Sequence, residues 1–477
     1  MKNIHESILI KNVAVGSRPH VDVRAGRDLI QEVGHRLTPR RGEQVLDGAG
    51  GALIPGLHDH HVHLRAAVAA QQSADLSMAV NPADFDQMVA AAAAAAAGRH
   101  DWLRMVGWDE YASGPLDRHR LDALAGTVPV RVQHRSGAMW VLNSVAVAQA
   151  GIAGCDLPGV ERDLGGRPTG RLLRLDAWLR DRIPAWSPAS FETQMADYAS
   201  AAARLGVTGF TDATPGRDPA DVMEFVRLTD AGVVPQRLTL MAPPGVLGPE
   251  QGRRAAGRVT LGPVKLMLDN ETLPSAAELS RTIAAAHEAG SAVALHCVTA
   301  EQLVLVVAAL KQAGSGGDRV EHAGVVPPGY AEDLRCLGAA VVTQPGFIAA
   351  RGDAYLRDVP SAERDWLYPC DSLIRAGVTV AAGTDAPFGP ADPWLCIATA
   401  VSRRTSSGQV LGMTERTSAI QALELFLAAP DDVHQLRAVA PGQPADLCLL
   451  HLPLNEALAQ PSTASLRATL IAGQLFE

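Results

Sequence analysis

The sequence predicts an α/β barrel with a small β-domain assembled from both chain ends, and three observations carry that expectation. Through the middle of the chain, strand-like apolar runs alternate with alanine-rich helical stretches, the pattern of βα units around a parallel sheet. The two ends instead share short β-strand texture broken by Gly, Pro and Asp. Between them, the apolar run Leu53-Ile54-Pro55-Gly56-Leu57 stops in His58-Asp59-His60-His61-Val62-His63. A histidine cluster at a strand end lies where an α/β barrel places its chemistry.

The elements follow in chain order. Residues 1–51 read as one part of a β-sandwich, with strands at Ile8–Ile10, Val13–Val15, Leu29–Ile30 and Val45–Leu46. Residues 52–435 read as the barrel, and residues 436–477 return to β-texture and complete the sandwich. Eight barrel strands are expected: Ala52–Leu57, Val207–Thr211, Arg237–Met241, Val264–Leu268, Ala292–Leu295, Arg319–Glu321, Ala340–Thr343 and Val378–Ala382. Helices such as Ala276–Ala289 and Ala300–Ala313 lie between them, each closing near a glycine. The long gap after the first strand, residues 66–195, reads as an insertion beside the barrel mouth. It holds a helix ending in the run Ala90–Ala97, then extra strands at Leu103–Gly107 and Val128–Val132. The alanine run has high helix propensity and no chemical handle.

Composition sets limits on function. The 477 residues suit one large barrel with an appendage, and a hydrophobic share of 47% is ample for its core. A formal charge of −9 without any basic block argues against nucleic acid or an anionic membrane as partner. The stretch Met1–Ser7 is no signal peptide, and the scattered cysteines read as reduced thiols, so a cytoplasmic protein is expected. There are only four lysines, and Lys265 alone sits inside an apolar strand-like run. A buried lysine has to be paired, neutral or chemically modified, and Asp269 is the nearby partner for a purely structural pairing.

Residues i and i+2 of a strand share a face, so His61 and His63 can reach one metal ion. Further candidates stand at later strand ends: Lys265 on the fourth, His296 after the fifth, His322 after the sixth and Asp385 after the eighth. No phosphate-cradling glycine loop is present, and no GxSxG elbow for a serine hydrolase.

This ordered set resembles the metal-dependent amidohydrolase superfamily, and longer motifs resemble its amidohydrolase family 3, the YtcJ-like branch. Those motifs are Pro55 to Leu64, Gly107-Trp108-Asp109, Gly165 to Gly170, Arg319-Val320-Glu321-His322, Gly383 to Pro387 and Gly442 to Asp446. The resemblance runs from about residue 8 to the end. It implies a distorted (β/α)8 barrel and a hydrolase that cleaves a C–N bond in an amide, cyclic amide or N-acyl small molecule. By the same resemblance His61 and His63 would hold one divalent ion, zinc being the expected metal, with Asp385 as a further ligand. His296 and His322 would hold a second ion, and Lys265, carboxylated on its ε-nitrogen by carbon dioxide, would bridge the two. Asp385 would take a proton from the activated water and return it to the leaving nitrogen. A single-ion site using some of these ligands remains open, as does the same site acting on an ester, lactone or phosphoester. A non-catalytic barrel scaffold is the reading from another class.

Softer candidates for substrate contact are Trp108, Asp109, Arg135 and Trp140 in the insertion and Asp212 after the second strand. Two departures from the family pattern stand out. Ala138 occupies a position where relatives carry histidine, and Asn270 follows Asp269 where they carry glycine. A homodimer is a family-level expectation.

Overall fold

The computed structural model describes residues 7–26, 28–98, 102–184, 187–243 and 254–476. The N-terminal residues Met1–Glu6, on which most of the signal-peptide reading rests, lie outside them. Among the described residues no helix is long and apolar enough to cross a membrane. The chain divides into two compact units: Met1–Leu64 with Met195–Glu477, and Arg65–Gln194.

The first unit contains eight parallel strands in one sheet. In chain order they are Leu57–Val62, Val207–Asp212, Arg237–Ala242, Val259–Leu266, Val293–Cys297, Arg319–His322, Ala340–Thr343 and Val380–Ala382. Consecutive strands pair in parallel from the first to the last. Between the eighth and the first, Asp385 N–H donates to the His61 carbonyl at 2.7 Å and His63 N–H to the Ala386 carbonyl at 3.0 Å. The sheet is therefore a nearly closed (β/α)8 barrel.

Alternation along these strands sorts the side chains. Val264, Leu266, Val293, Leu295, Val320 and Val341 pack outward against Leu279, Ile283, Leu303, Val306 and Leu310 of the helix shell. Burying each such side chain contributes about 1.5–3 kcal/mol. Lys265, His296 and Glu321 occupy the intervening positions and face the barrel interior. The helices Ala276–Glu288 and Ala300–Ala313 begin with capping boxes, Ser275 with Glu278 and Thr299 with Gln302, which satisfy their first backbone donors.

The sequence expectation for the first strand needs correction. Leu53–Pro55 is not barrel; it pairs antiparallel with Leu447–Leu450 in a four-stranded sheet. The barrel strand starts at Leu57, beyond Gly56. A second four-stranded sheet comes from Ser7–Val15, Arg18–Gly26, Leu29–Gly34 and Gln44–Asp47. The two share an apolar core that includes Ile8, Ile10, Val23, Leu53, Leu447 and Leu470. Both chain ends thus build the small sandwich.

The second unit carries a six-stranded sheet in the order Val160–Arg162, Pro168–Leu173, Met139–Leu142, Val130–His134, Leu103–Trp108, Ala74–Asp75. The alanine run ends the helix Pro82–Ala96, whose Phe85, Val89 and Ala93 are buried.

Candidate metal centre

The first barrel strand brings its histidines inward through an irregularity. Asp59 pairs with Phe210 and Val62 with Asp212, so three steps on one strand oppose two on the other. That extra residue is a bulge, which re-aims side chains at a strand end. The His61 and His63 rings lie 5.4 Å apart, and His61 and His322 4.6 Å apart. His296 joins the cluster, its Nδ1 3.1 Å from His322 Nε2.

Backbone conformation places two of the remaining groups. Strict alternation would send His322 outward with Val320. Instead His322 and Ala323 adopt left-handed φ of 69° and 44°, and the imidazole meets Gln344 Oε1 at 2.7 Å. Asp385 is also left-handed, at φ 54°. Such conformations cost about 1–3 kcal/mol each and persist where surrounding contacts over-determine them. Gly383 permits the approach of the eighth strand, since a Cβ there would lie 2.4 Å from the His61 nitrogen.

Hydrogen bonds fix which imidazole nitrogen is left for a ligand. His61 Nδ1 lies 2.5 Å from Glu321 Oε2, both side chains fully buried. A carboxylate acceptor there keeps the proton on Nδ1 and leaves Nε2 as a bare lone pair. Glu321 is held by Arg319, whose Nε donates to Oε1 at 2.8 Å. His63 Nδ1 faces Thr214 Oγ1 at 3.3 Å. His61 Nε2 and His63 Nε2 then point at one atom, Asp385 Oδ1, at 3.7 and 3.2 Å. His61 Nε2, Asp385 Oδ1 and the Lys265 ammonium nitrogen are all buried without a hydrogen-bond partner.

Electrostatics push the same way. Burial, reinforced by the charges of Lys265 and His322, holds the His61 imidazole neutral, well below its ordinary pKa. Burial works to raise the Asp385 carboxyl, but the imidazoles that face it, His63 first and then His61 and His322, outweigh burial and lower its pKa. Burial pulls the Lys265 ammonium down to about 8, against the opposing charges of Glu321 and Asp385. The lone pairs of His61 and His63 and the Asp385 carboxylate converge in the barrel interior. The ligand atoms of His61, His63 and Asp385 lie within 4.8 Å of one another, a spacing one divalent cation bridges. The residues present fit such an ion.

Glu321, Gln344, Asp59 and Thr384 were not singled out from the sequence. Asp59 accepts from the Thr384 hydroxyl at 2.5 Å and from the His61 N–H at 3.2 Å, tying the first strand to the eighth. For Glu321 a signal existed. It shares a strand face with Arg319, and an acid pointing into a barrel needs a partner. His58 and His60, beneath the site, are ring neighbours at 4.6 Å, and His58 bonds Thr211 Oγ1 at 2.9 Å.

Of the softer candidates, Asp212, Trp108 and Trp140 are buried, while Asp109 and Arg135 are partly exposed. Asp212 is fully buried, 2.8 Å from Arg217, and accepts from the N–H groups of Leu64 and Thr214. Its carboxylate is committed to positioning the strand end. Trp108 is 2% exposed within the insertion core, its indole N–H on the Gly114 carbonyl. Trp140 is 4% exposed, with its indole N–H on Asp176 at 2.6 Å. Asp109 caps the short helix Glu110–Ser113 and lies 3.4 Å from Arg135. Asn270 accepts from Gln302 at 2.8 Å, anchoring its loop to the helix that follows the fifth strand.

Comparison with known proteins gives this arrangement a family. The sequence model of the Amidohydrolase family matches residues 44–476. The chain belongs to the amidohydrolase family. It is 26% identical to N-substituted formamide deformylase of Arthrobacter pascens, over 81% of this chain and 80% of that one. It is 25% identical to putative amidohydrolase YtcJ of Bacillus subtilis, over 92% of this chain and 91% of that one. In structure it resembles an uncharacterized metal-dependent hydrolase of Pyrococcus horikoshii, with a TM-score of 0.71 at 20% identity, covering 92% and 96% of the two chains. This amidohydrolase, like its relatives, is a hydrolase.

Proposed function

We propose that this amidohydrolase cleaves the C–N bond of an amide, cyclic amide or N-acyl small molecule with a metal-activated hydroxide, and that zinc is the metal. The observation that carries the reading is the convergence of His61 Nε2 and His63 Nε2 on Asp385 Oδ1. The relative named as an N-substituted formamide deformylase supports the bond type. His61, His63 and Asp385 would hold one ion. His296 and His322 would hold a second, bridged to the first by Lys265 carrying a carbon dioxide-derived carboxylate. The lowered pKa of Lys265 suits that modification, because carbon dioxide adds to the neutral amine. A bound divalent ion supplies Lewis acidity and lowers the pKa of water within its reach.

The chain's own groups do the rest. Glu321 keeps the His61 proton on Nδ1, so Nε2 stays a donor of electrons. Asp385 is ionised at neutral pH and faces His61 and His63, so it can accept a proton from the attacking water. The same carboxyl then returns that proton to the departing nitrogen, which would otherwise leave as an unstable amide anion.

The test is a panel of N-substituted formamides, cyclic imides and matched esters, run after chelation and again after zinc and bicarbonate are returned. Amide turnover that vanishes and recovers is the expected result. Ester turnover without amide turnover overturns the bond assignment. Indifference to chelation overturns the metal.

A further inference from the structure

The insertion contains a pair of arginines whose charge the surrounding protein does not balance. Arg104 and Arg131 are paired residues on neighbouring parallel strands, so they stand side by side on one face of the sheet. Trp140 lies on that face too, and both guanidinium groups sit over its ring, at 5.2 and 4.9 Å. Arg104 donates to the Ser73 hydroxyl at 2.5 Å and to Gln133 Oε1 at 3.2 Å, both neutral acceptors. Arg131 has no hydrogen bond or ion pair among the described residues, and its Nε is buried without a partner. Asp176 is the acid whose charge reaches both, and its carboxylate accepts the indole N–H of Trp140. Burial pulls the guanidinium pKa values down, to about 9 for Arg104, where the Arg131 charge adds to it, and to about 10 for Arg131.

Two like charges side by side on a sheet face destabilise it unless an anion lies between them. Cation–π contact with one indole offsets part of that cost and uses none of the Arg131 side-chain N–H donors. We propose that Arg104, Arg131 and Trp140 form a binding site for a small oxyanion, foremost a carboxylate held by the Arg131 fork and Arg104. A planar carboxylate matches the guanidinium fork in two parallel hydrogen bonds, and the indole provides an apolar wall for its substituent. The site is independent of the metal reading, since none of its residues belongs to the cluster of His61 and Asp385.

The experiment is a melting-temperature titration of the full chain with benzoate, inorganic phosphate and the neutral analogue benzamide, at constant ionic strength. Wild-type protein should show a saturating rise with an anion and none with benzamide. R131M should lose that rise, and R131K should bind about tenfold more weakly, because lysine keeps the charge but not the fork. Saturation by benzoate assigns an organic carboxylate, and saturation by phosphate alone assigns free phosphate to the same donors. No saturable rise in the wild type overturns the proposal, as does an unchanged rise in R131M or, should R131M fail to fold, in R131K.

Discussion

Glu321 decides which face of the His61 imidazole is electron-rich, and its removal should be felt as metal affinity before anything else. We expect E321Q to fold and to bind zinc 10–100-fold more weakly, roughly the cost of losing the partner of a ligand histidine. Competition with a chromogenic chelator measures that without reference to turnover. Lys265 gives a second expectation at this scale. K265R keeps a positive charge but cannot carry a carboxylate, so it should lower the metal bound per chain, read by elemental analysis. Asp212 gives a third. Burial raises its carboxyl, and Arg217, with the hydrogen bond from Thr214, more than reverses this, so its pKa lies below the ordinary range. A carboxyl depressed in the folded state stabilises above the unfolded pKa of about 4 and loses that contribution as pH falls through the folded value. D212N should therefore cost about 3–5 kcal/mol at neutral pH, the figure for breaking a buried pair, and the gap to wild type should narrow in acid. Chemical denaturation at pH values on either side of that range checks it.

Among elements, the meeting of the first and eighth strands is the most demanding. G383A would drive a Cβ against the His61 backbone, and since both neighbours are strands the strain cannot be relieved by a rotamer. A loss of about 1–3 kcal/mol is expected from such overpacking, with weaker metal binding because Asp385 follows two residues later. Thermal melting with and without zinc separates the two effects. The elements themselves were largely legible. Ala340–Thr343 and Ala300–Ala313 were read to the residue, because an apolar run bounded by turn residues and a capped amphipathic stretch each carry a local signal. The first strand was expected at Ala52–Leu57 and lies at Leu57–Val62, five residues later at both ends. Ala52 to Val62 is one apolar-to-histidine run, and nothing local says that it changes sheets at Gly56. The bulge at His60 and the left-handed turn at His322 were equally invisible, since both are imposed by neighbours distant in sequence. Hence the side chains that meet inside the barrel were legible as residue types at strand ends, while Glu321 and Gln344, which hydrogen-bond them, were not. Trp108 shows the opposite case: a motif aromatic expected at the substrate packs in the core of the insertion.

For the molecule as a whole, a metal held by the native cluster of His61, His63 and Asp385 would be part of the folding equilibrium. A ligand that binds only the native state at a thousand times its Kd adds about 4 kcal/mol. Chelation should therefore lower the melting temperature reversibly, with zinc restoring it, and calorimetry of apo and loaded protein measures the difference. The two compact units make a single transition an unsafe assumption, so the shift is expected in the transition that exposes the barrel core.

The bond between Asp59 and the Thr384 hydroxyl joins positions 325 residues apart, and Leu53–Pro55 waits for Leu447–Leu450 to complete its sheet. During translation, the histidines emerge early and must be held without their carboxylate until nearly the whole polypeptide has left the ribosome. At about 5–20 residues per second that interval lasts from some tens of seconds to over a minute. The contacts that set His61 against Asp385 are therefore among the last that the growing chain can make.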